Sequence, residues 1–258
     1  MIGGTLSLWH REVLRFLKDR SRVFSSLGQP LIFWLLFAGS LRDSFRPAGV
    51  ENYGEYFFPG TLAMIVLFTA IFATITVIED RKEGFLQGVL VSPVPRSAIA
   101  LGKILGAATL ALGHGAVFFL FAPFAGVPLS FGGVMQALGV LALIAFALGA
   151  LGFSLAWVMD STAGYHGIMM LFLMPMLLLS GAFFPAQGAH PIIEWIMAVN
   201  PLTYGVAAMR HALYGVDHAT VAGLPSFGVC LWVTLSFAVE MFALGTFVVL
   251  RRTARDAQ

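Results

Sequence analysis

The sequence predicts an all-α integral membrane protein with six transmembrane helices. Of its 258 residues, 59% are hydrophobic and only 11% are charged, whereas a soluble domain carries about 25% charged residues. Apolar runs of roughly 20 residues, the length needed to cross a bilayer, alternate with short charged segments. Too few charges remain to solvate a globular surface, so lipid must surround much of the chain.

Residues 1–22 are predicted to form an amphipathic helix in the cytoplasmic interface of the membrane. Its basic residues, among them Arg11 and Arg15, lie largely away from its apolar side, as in helices that lie flat on a membrane. A water-exposed lead-in helix is the alternative. The apolar residues recur at helical spacing and are Leu6, Trp9, Val13, Phe16 and Leu17.

The first three predicted spans cover residues 23–41, 58–78 and 99–124. The first starts where the basic N-terminal run gives way to apolar residues. The second ends at a dense charged cluster that opens with Glu79, and the third carries Lys103 close to its start. Each run is long and nearly free of charge, which is typical of a membrane-spanning helix.

The last three predicted spans cover residues 134–159, 164–184 and 229–250. A very short polar linker that begins at Asp160 separates the fourth span from the fifth. The fifth contains Pro175, which a membrane helix tolerates when its neighbours satisfy the freed backbone groups.

The distribution of positive charge predicts that both termini are cytoplasmic. Short cytoplasmic loops retain Lys and Arg, and 12 of the 15 such residues lie in the N-terminal segment, in residues 79–103 or in the tail 251–258. Six spans put these three basic regions on one side of the membrane, which supports an even number of crossings.

Residues 79–98 are predicted to form a cytoplasmic loop with a short helix. Charged residues lead into an apolar stretch, and Pro93 and Pro95 stop it before the chain re-enters the membrane. Such a helix suits docking into the groove of a partner or lying on lipid, and the pattern does not separate the two. The apolar residues expected on one exposed side are Phe85, Leu86, Val89 and Leu90.

This loop resembles the signature of the ABC-2 type transporter permeases, the membrane subunits of bacterial ABC exporters. The matching residues are Arg81-Lys82-Glu83-Gly84, Leu86, Val91-Ser92-Pro93 and Gly102-Lys103. Phe85 and Gln87 depart from the threonine and glutamate usual in the family. Weaker matches elsewhere are Tyr56-Phe57-Phe58-Pro59-Gly60, Ser180-Gly181-Ala182-Phe183-Phe184-Pro185, and Asn200-Pro201-Leu202-Thr203-Tyr204 with Arg210.

The resemblance implies a permease subunit that forms the pathway for an amphipathic cargo such as a drug, a lipid or a lipid-linked saccharide. A separate ABC ATPase subunit would bind ATP and Mg²⁺ and supply the energy. A second copy of the permease would complete the pathway, with the first and fifth spans at the interface, in the inner membrane of a bacterium. The residues expected to couple to the ATPase are Glu83, Gly84, Phe85, Leu86, Gln87, Val89, Leu90, Ser92 and Pro93.

The candidates for lining the pathway cluster in the second and fifth predicted spans. They are Pro59, Gly60, Met170, Met174, Pro175, Phe183 and Phe184. Methionines around Pro175 suit a surface that re-packs around varied apolar cargo, although methionine also fills gaps that face lipid. The methionines weakly favour a drug or a lipid as cargo.

Residues 185–228 are too few for a domain and too apolar for a plain loop. The resemblance implies two short re-entrant helices here, at the external mouth of the pathway, with a break at Asn200-Pro201. The alternative is an interfacial loop that Trp195 and Tyr204 anchor in the aromatic belt of the membrane.

Three polar residues fall inside predicted spans. Glu240 lies near the middle of the sixth, where a charge costs about 2.5–3.5 kcal/mol. His114 is a possible partner for it, and His166 lies near the start of the fifth span. An ion-coupled carrier could use Glu240 and His114, but an interhelical hydrogen bond is the simpler interpretation.

Nothing in the sequence predicts catalysis by this chain. A phosphate-binding loop needs Gly-x4-Gly-Lys-Ser/Thr, but Ile104 follows the only Gly-Lys pair. We expect no catalytic residue, cofactor or metal site here, and a net charge of +2 gives no basic field for nucleic acid. A lipid-modifying membrane enzyme is the remaining alternative, although no cluster of catalytic polar residues supports it.

Overall fold

A computed structural model describes residues 2–40 and 53–255, and within those residues the regular structure is helical, without strands. Leu41, at the end of the first predicted span, and residues 256–258 of the predicted tail lie outside the described residues. The helices are α1 (Ile2–Lys18), α2 (Arg20–Ser40), α3 (Tyr53–Thr74), α4 (Thr76–Lys82), α5 (Phe85–Val91), α6 (Arg96–Phe118), α7 (Ala122–Ala125), α8 (Phe131–Val158), α9 (Thr162–Ile168), α10 (Met174–Leu178), α11 (Pro191–Val199), α12 (Pro201–Tyr214) and α13 (Phe227–Arg255). A π-helical turn, Met169–Leu173, joins α9 to α10, and single 3-10 turns occur at Phe119–Phe121 and Ala219–Val221.

The described part of the chain contains four helical stretches that are long and apolar enough to cross a membrane. They are Tyr53–Lys82, Arg96–Ala125, Phe131–Val158 and Phe227–Arg251. Helices α11 and α12 meet at an angle of 81° and make a fifth crossing if the pair is counted as one span. The helical membrane class is therefore confirmed. The count of six stays a prediction, because the apolar helices Leu27–Ser40 and Thr162–Leu178 are shorter.

The second predicted span begins five residues earlier than expected, at Tyr53 rather than at residue 58. The difference arises because Glu55, which made this stretch look like a loop, is buried, with its Oε1 2.9 Å from His218 Nε2. The stretch Tyr53–Lys82 is the central element of the fold. Of its most apolar 18 residues, 94% are buried inside the protein, whereas the corresponding share for the last span is 22%. It packs against α2, α6, α8 and α12.

Small residues let several helices approach closely. A Cβ at Gly60 would lie only 2.5 Å from the backbone oxygen of Ala182, so the chain that follows α10 packs directly on α3. On α6, a Cβ at Gly106 would lie 2.7 Å from the Cβ of Glu12 on α1. Such close approach is typical of helices that pack inside a membrane protein, where small residues bring backbones together.

Helix α1 buries one side and leaves an apolar stripe exposed on another. The buried side, which packs against α6, consists of Thr5, Leu8, Glu12 and Phe16. Leu6 and Leu17, which the sequence placed on the apolar face with Phe16, are instead more than half exposed, and so is Ile2. An apolar stripe on the outside of an otherwise anchored helix supports the interfacial position predicted for residues 1–22, which stays a prediction.

Replacing Gly102 on α6 by alanine should lower the thermal midpoint of unfolding. The new Cβ would lie 2.9 Å from both the Cβ of Leu8 and the backbone oxygen of Thr5, and overpacking of this kind costs about 1–3 kcal/mol. The control is Gly113→Ala on the same helix, where the Cβ meets no atom within 4 Å. Equal midpoints for the two variants in detergent would contradict the packing of α1 on α6.

Candidate functional site

A cluster of buried charges joins α1, α4 and the start of α6 at one end of the molecule, which we call the charged end. At its centre the carboxylate of Asp80 is fully buried. Arg11 donates two hydrogen bonds to it, at 2.7 and 2.9 Å, and Arg15 donates one at 2.6 Å. Lys103, from α6, donates a further short hydrogen bond to the same carboxylate.

Glu12 is the second buried acid of this cluster. Its carboxylate accepts hydrogen bonds from Lys103 Nζ at 2.8 Å, from Thr76 Oγ1 at 2.7 Å and from Arg11 Nη1 at 3.0 Å. Lys103, whose side chain is 2% exposed, therefore lies between two carboxylates contributed by two different helices. Removal of a partner from such a site is costly because it leaves a charge buried without compensation.

The two arginines of α1 extend the cluster toward α5. Arg15 also contacts Glu79 and Glu83, at 3.1 and 3.3 Å. The guanidinium of Arg11 lies 3.7 Å from the ring centre of Phe85. Burial acts to lower the pKa of Arg11, but its hydrogen bond with Asp80 and the negative charge of that residue outweigh burial, and the pKa is raised. Arg11 thus stays charged and holds the first residue of α5 to the cluster.

The helix that carries Asp80 is interrupted where it leaves the core. Residue Ile75 separates α3 from α4. On the core side of this break, the hydroxyl of buried Tyr165 lies 2.7 Å from Thr74 Oγ1 and bonds to the carbonyl of Gly152 at 3.2 Å. On the other side, Arg81 donates to the carbonyl of Met159 at 2.8 Å and so holds α4 to the end of α8.

The structure turns most of the apolar side of α5 inward, which corrects the expectation of an exposed apolar face. Leu86 is only 2% exposed, and Phe85, Val89 and Leu90 are half-buried against the core. The physical reason is the hydrophobic effect: the apolar side chains of α5 lie next to the core of the same chain, so packing against it removes them from water without a partner. Gly84, at a φ of 77°, precedes α5, and at the other end of the helix Ser92 Oγ donates to the carbonyl of Val89 at 2.6 Å. The residues left exposed along the segment are Glu83, Gln87, Gly88, Val91 and Pro93.

The candidates for lining a pathway separate into two groups. Pro59 and Gly60 are buried in α3, and a place for them in a pathway stays a prediction. Phe183 packs on the ring of Phe57 with the centroids 5.0 Å apart, and it is half-buried, as is Phe184. In the fifth predicted span, Met170 and Pro175 are exposed and Met174 is half-buried. The π-helical turn lies in this span, and such turns are frequent at functional sites.

The polar residues predicted inside spans are not brought together. Glu240 is on an exposed face of α13, whereas His114 is buried, with its Nδ1 3.1 Å from Thr69 Oγ1. His166 is exposed beside the ring of Phe72. Across residues 2–40 and 53–255, no three His, Cys, Asp or Glu side chains lie together as metal ligands would.

Asn200, at the Asn-Pro pair between α11 and α12, caps one helix and holds another. Its side-chain oxygen accepts from the backbone N–H of Leu202 at 3.0 Å, which caps α12. Its amide nitrogen donates to the carbonyls of Met176 and Leu179, at 2.6 and 2.9 Å, and so holds the end of α10. The bent pair α11–α12 therefore packs on the end of the fifth predicted span. It lies near the start of α3, because the Tyr214 hydroxyl donates to the carbonyl of Glu55; we call this region the far end.

Reasoning from the sequence did not find the ion cluster. Bonded partners in it are far apart along the chain, with 91 residues between Lys103 and Glu12, and no local pattern pairs them. One signal was present. Glu12 follows Leu8 by four residues and precedes Phe16 by four, so it shares a helix face with two apolar residues, where an acid must be compensated.

Comparison with known proteins gives a consistent result along the chain. The sequence model of the ABC-2 type transporter family matches residues 4–214. The chain is 29% identical to Nodulation protein J of Sinorhizobium fredii over 257 residues, which is 96% of this chain and 93% of that protein. It is 26% identical to the transport permease ycf38 of Cyanophora paradoxa over 193 residues, 73% of this chain and 66% of the relative. It is also 26% identical to the inner membrane transport permease YhhJ of Escherichia coli over 168 residues, 63% of this chain and 45% of that protein.

Neutralising Asp80 should destabilise the protein far more than neutralising Glu79. Asp80→Asn leaves buried cations short of an anion, which costs about 3–5 kcal/mol, whereas a partly exposed ion pair contributes about 0–1 kcal/mol. The Glu79 side chain, in the same helix, is 26% exposed, so Glu79→Gln is the matched control. Thermal midpoints in detergent measure both.

A double variant separates coupling from general damage to the helix. Adding Lys103→Met to Asp80→Asn removes a buried cation that the single variant leaves with one of its two carboxylates, so part of the lost stability should return. If the effects of the two single substitutions simply added, Asp80 and Lys103 would not be coupled.

Proposed function

Because the chain belongs to the ABC-2 type transporter family, we propose that it is the permease subunit of an ABC exporter. Membership of the family makes it a membrane transporter subunit. The finer assignment is that a separate ATPase subunit binds ATP and Mg²⁺ and drives this chain by contact with α5. The observation that carries the proposal is the ion cluster, because it joins α5 mechanically to the membrane helices.

The route of coupling starts at α5 and runs through side chains. Arg11 contacts Phe85 at the start of α5 and also bonds to Asp80 on α4. Asp80 and Glu12 both hold Lys103 on α6. Displacement of α5 by a partner would therefore move α1, α4 and the start of α6 together, as rigid-body switching requires. The break at Ile75 is where this unit meets the core helix α3.

The surface that we assign to the ATPase is narrower than the sequence indicated. The exposed residues of α5 are Gln87, Gly88 and Val91, with Val91 87% exposed, and Glu83 and Pro93 flank them. The inward residues Leu86, Val89 and Leu90 then act indirectly, because they hold α5 on the protein. An exposed valine beside a glycine suits a short helix that docks into a groove.

A second copy of the chain would cover the exposed apolar sides of α2 and of the fifth predicted span. On α2 these include Leu35 and Leu36, and on the π-helical turn they include Met170, Leu171 and Phe172, all more than half exposed. An exposed apolar face in a membrane protein faces lipid or another subunit. We assign this one to a homodimer that encloses a path for an amphipathic cargo, a drug, a lipid or a lipid-linked saccharide. Met170, Met174 and Pro175 remain the candidates for lining that path.

We further propose that the charged end faces the cytoplasm and that the membrane is the inner membrane of a bacterium. Lys and Arg concentrate in α1, in the α4–α5 segment and at the C-terminus, which is the distribution expected of cytoplasmic segments. The far end, with α11 and α12, would then face outward. Their 81° bend suits a re-entrant pair.

The arrangement gives less support to the alternatives. An ion-coupled carrier based on Glu240 and His114 would need the two side chains to work together, yet one is exposed on α13 and the other is buried beside Thr69. A lipid-modifying enzyme would need convergent catalytic groups. The buried acids found at the charged end are already compensated by Lys103 and Arg11.

Transport should depend completely on a partner ATPase. In proteoliposomes the purified chain alone should not accumulate a fluorescent amphipathic dye against its gradient. The same chain with its ATP-binding subunit and ATP-Mg²⁺ should accumulate the dye. A non-hydrolysable analogue of ATP should not support this accumulation. Uphill transport by the chain alone, driven by an ion gradient, would end the proposal in favour of a carrier.

Charging the exposed side of α5 should uncouple the ATPase. Val91→Asp puts a carboxylate on the surface assigned to the partner and should weaken co-purification at least about tenfold, equivalent to about 1.4 kcal/mol, and reduce transport in parallel. Val216→Asp is the matched control, because Val216 is 75% exposed at the far end. If both variants associate with the ATPase like the unmodified chain, α5 is not the docking helix.

A further inference from the structure

Arg210 is a buried cation at the far end of the molecule. It lies on α12, and only 3% of the residue is exposed. Burying a guanidinium is unfavourable unless an anion or several hydrogen bonds compensate it. The partners of this side chain therefore show whether the site is complete.

The protein satisfies Arg210 only in part. Its Nη2 donates to the backbone oxygen of Gly181 at 2.7 Å, and the guanidinium lies 4.0 Å from the ring centre of Tyr56. Among the described residues, nothing accepts a hydrogen bond from its buried Nε. The nearby acid Glu55 contacts His218 instead, and no carboxylate within residues 2–40 or 53–255 forms an ion pair with Arg210. The charged end therefore balances its buried cations with carboxylates, whereas the described residues of the far end supply no carboxylate to Arg210.

A cavity of about 320 Å³ lies beside this arginine. Its wall is mainly apolar, with Met197, Val206 and Leu224 among its residues, and polar groups come from Arg210, Tyr56 and Thr203. Sites for small molecules are typically concave and apolar with a few polar groups that fix orientation. A cation in an apolar wall fits a ligand with an anionic group next to an apolar part.

We propose that Arg210 and this cavity bind the anionic group of an amphiphile, of the phosphate class. The planar guanidinium matches phosphate oxygens in a bidentate manner, and Arg210 forms part of the cavity wall. The apolar wall accommodates the first carbons attached to the phosphate. The inference goes beyond the transport function proposed above, because binding requires neither an ATPase nor movement of cargo.

Native mass spectrometry of the full chain in an uncharged detergent tests the site. The probes are dodecyl phosphate, inorganic phosphate and tetraethylene glycol monododecyl ether, which has the same alkyl chain without charge. The unmodified chain should bind one dodecyl phosphate. Arg210→Gln should raise its dissociation constant at least about tenfold, as loss of a hydrogen bond to a charged group predicts, and Arg210→Lys should recover part of the affinity.

Two further variants separate binding from folding. Arg251→Gln removes an exposed arginine on α13 and should leave the affinity within about twofold. Ala222→Trp keeps Arg210 and its contacts but fills the exposed rim of the cavity, so it should weaken binding even if Arg210→Gln proves unstable. Thermal midpoints of all the variants show which of them remain folded.

The probes also identify the source of the anion. Binding of dodecyl phosphate without binding of inorganic phosphate assigns the site to an amphiphile. Arg210-dependent binding of inorganic phosphate alone contradicts the amphiphile and leaves a site for the free anion. The proposal is overturned if the uncharged ether binds as well as dodecyl phosphate, or if Arg210→Gln and Ala222→Trp both bind like the unmodified chain.

Discussion

The compensation of buried charge between Asp80 and Lys103 is the interaction on which the charged end depends. Each ion, once removed from water, costs several kcal/mol unless an opposite charge and hydrogen bonds replace the solvent. Here the replacement comes from three separate helices, with Glu12 and Arg11 on α1 completing the set. None of these helices can leave the others without exposing an uncompensated ion, so α1, α4 and the start of α6 form one mechanical unit.

The core helix α3 meets this unit at a break rather than as a continuous rod. Thr74, on the core side of Ile75, is held by Tyr165 from the fifth predicted span. Thr76, on the other side, bonds to Glu12. Two neighbouring turns are therefore fixed to different parts of the protein. In the proposed coupling, motion that enters at α5 would reach the fifth predicted span through this junction.

Local patterns in the sequence were enough for the membrane class, for a short helix between Gly84 and Pro93, and for a break at Asn200-Pro201, because each depends on composition or on residues a few positions apart. They could not orient α5, since an apolar stripe that docks into a partner and one that packs on its own core have the same spacing. They also could not pair Glu12 with Lys103, because only the folded chain brings them together. The pairing of Glu240 with His114 was inferred from similar depth alone, and depth does not specify which side of a helix faces inward.

The two ends of the molecule differ in how their buried cations are compensated. At the charged end, Lys103 lies between two carboxylates that balance its charge. At the far end, the described residues give Arg210 one carbonyl and one aromatic ring, and Arg210 lies in the wall of a cavity. A buried cation that is paired with carboxylates holds helices together, whereas a buried cation without a carboxylate favours the binding of an anion. For this reason we assign a structural role to the ion cluster at the charged end and a binding role to Arg210 and its cavity at the far end.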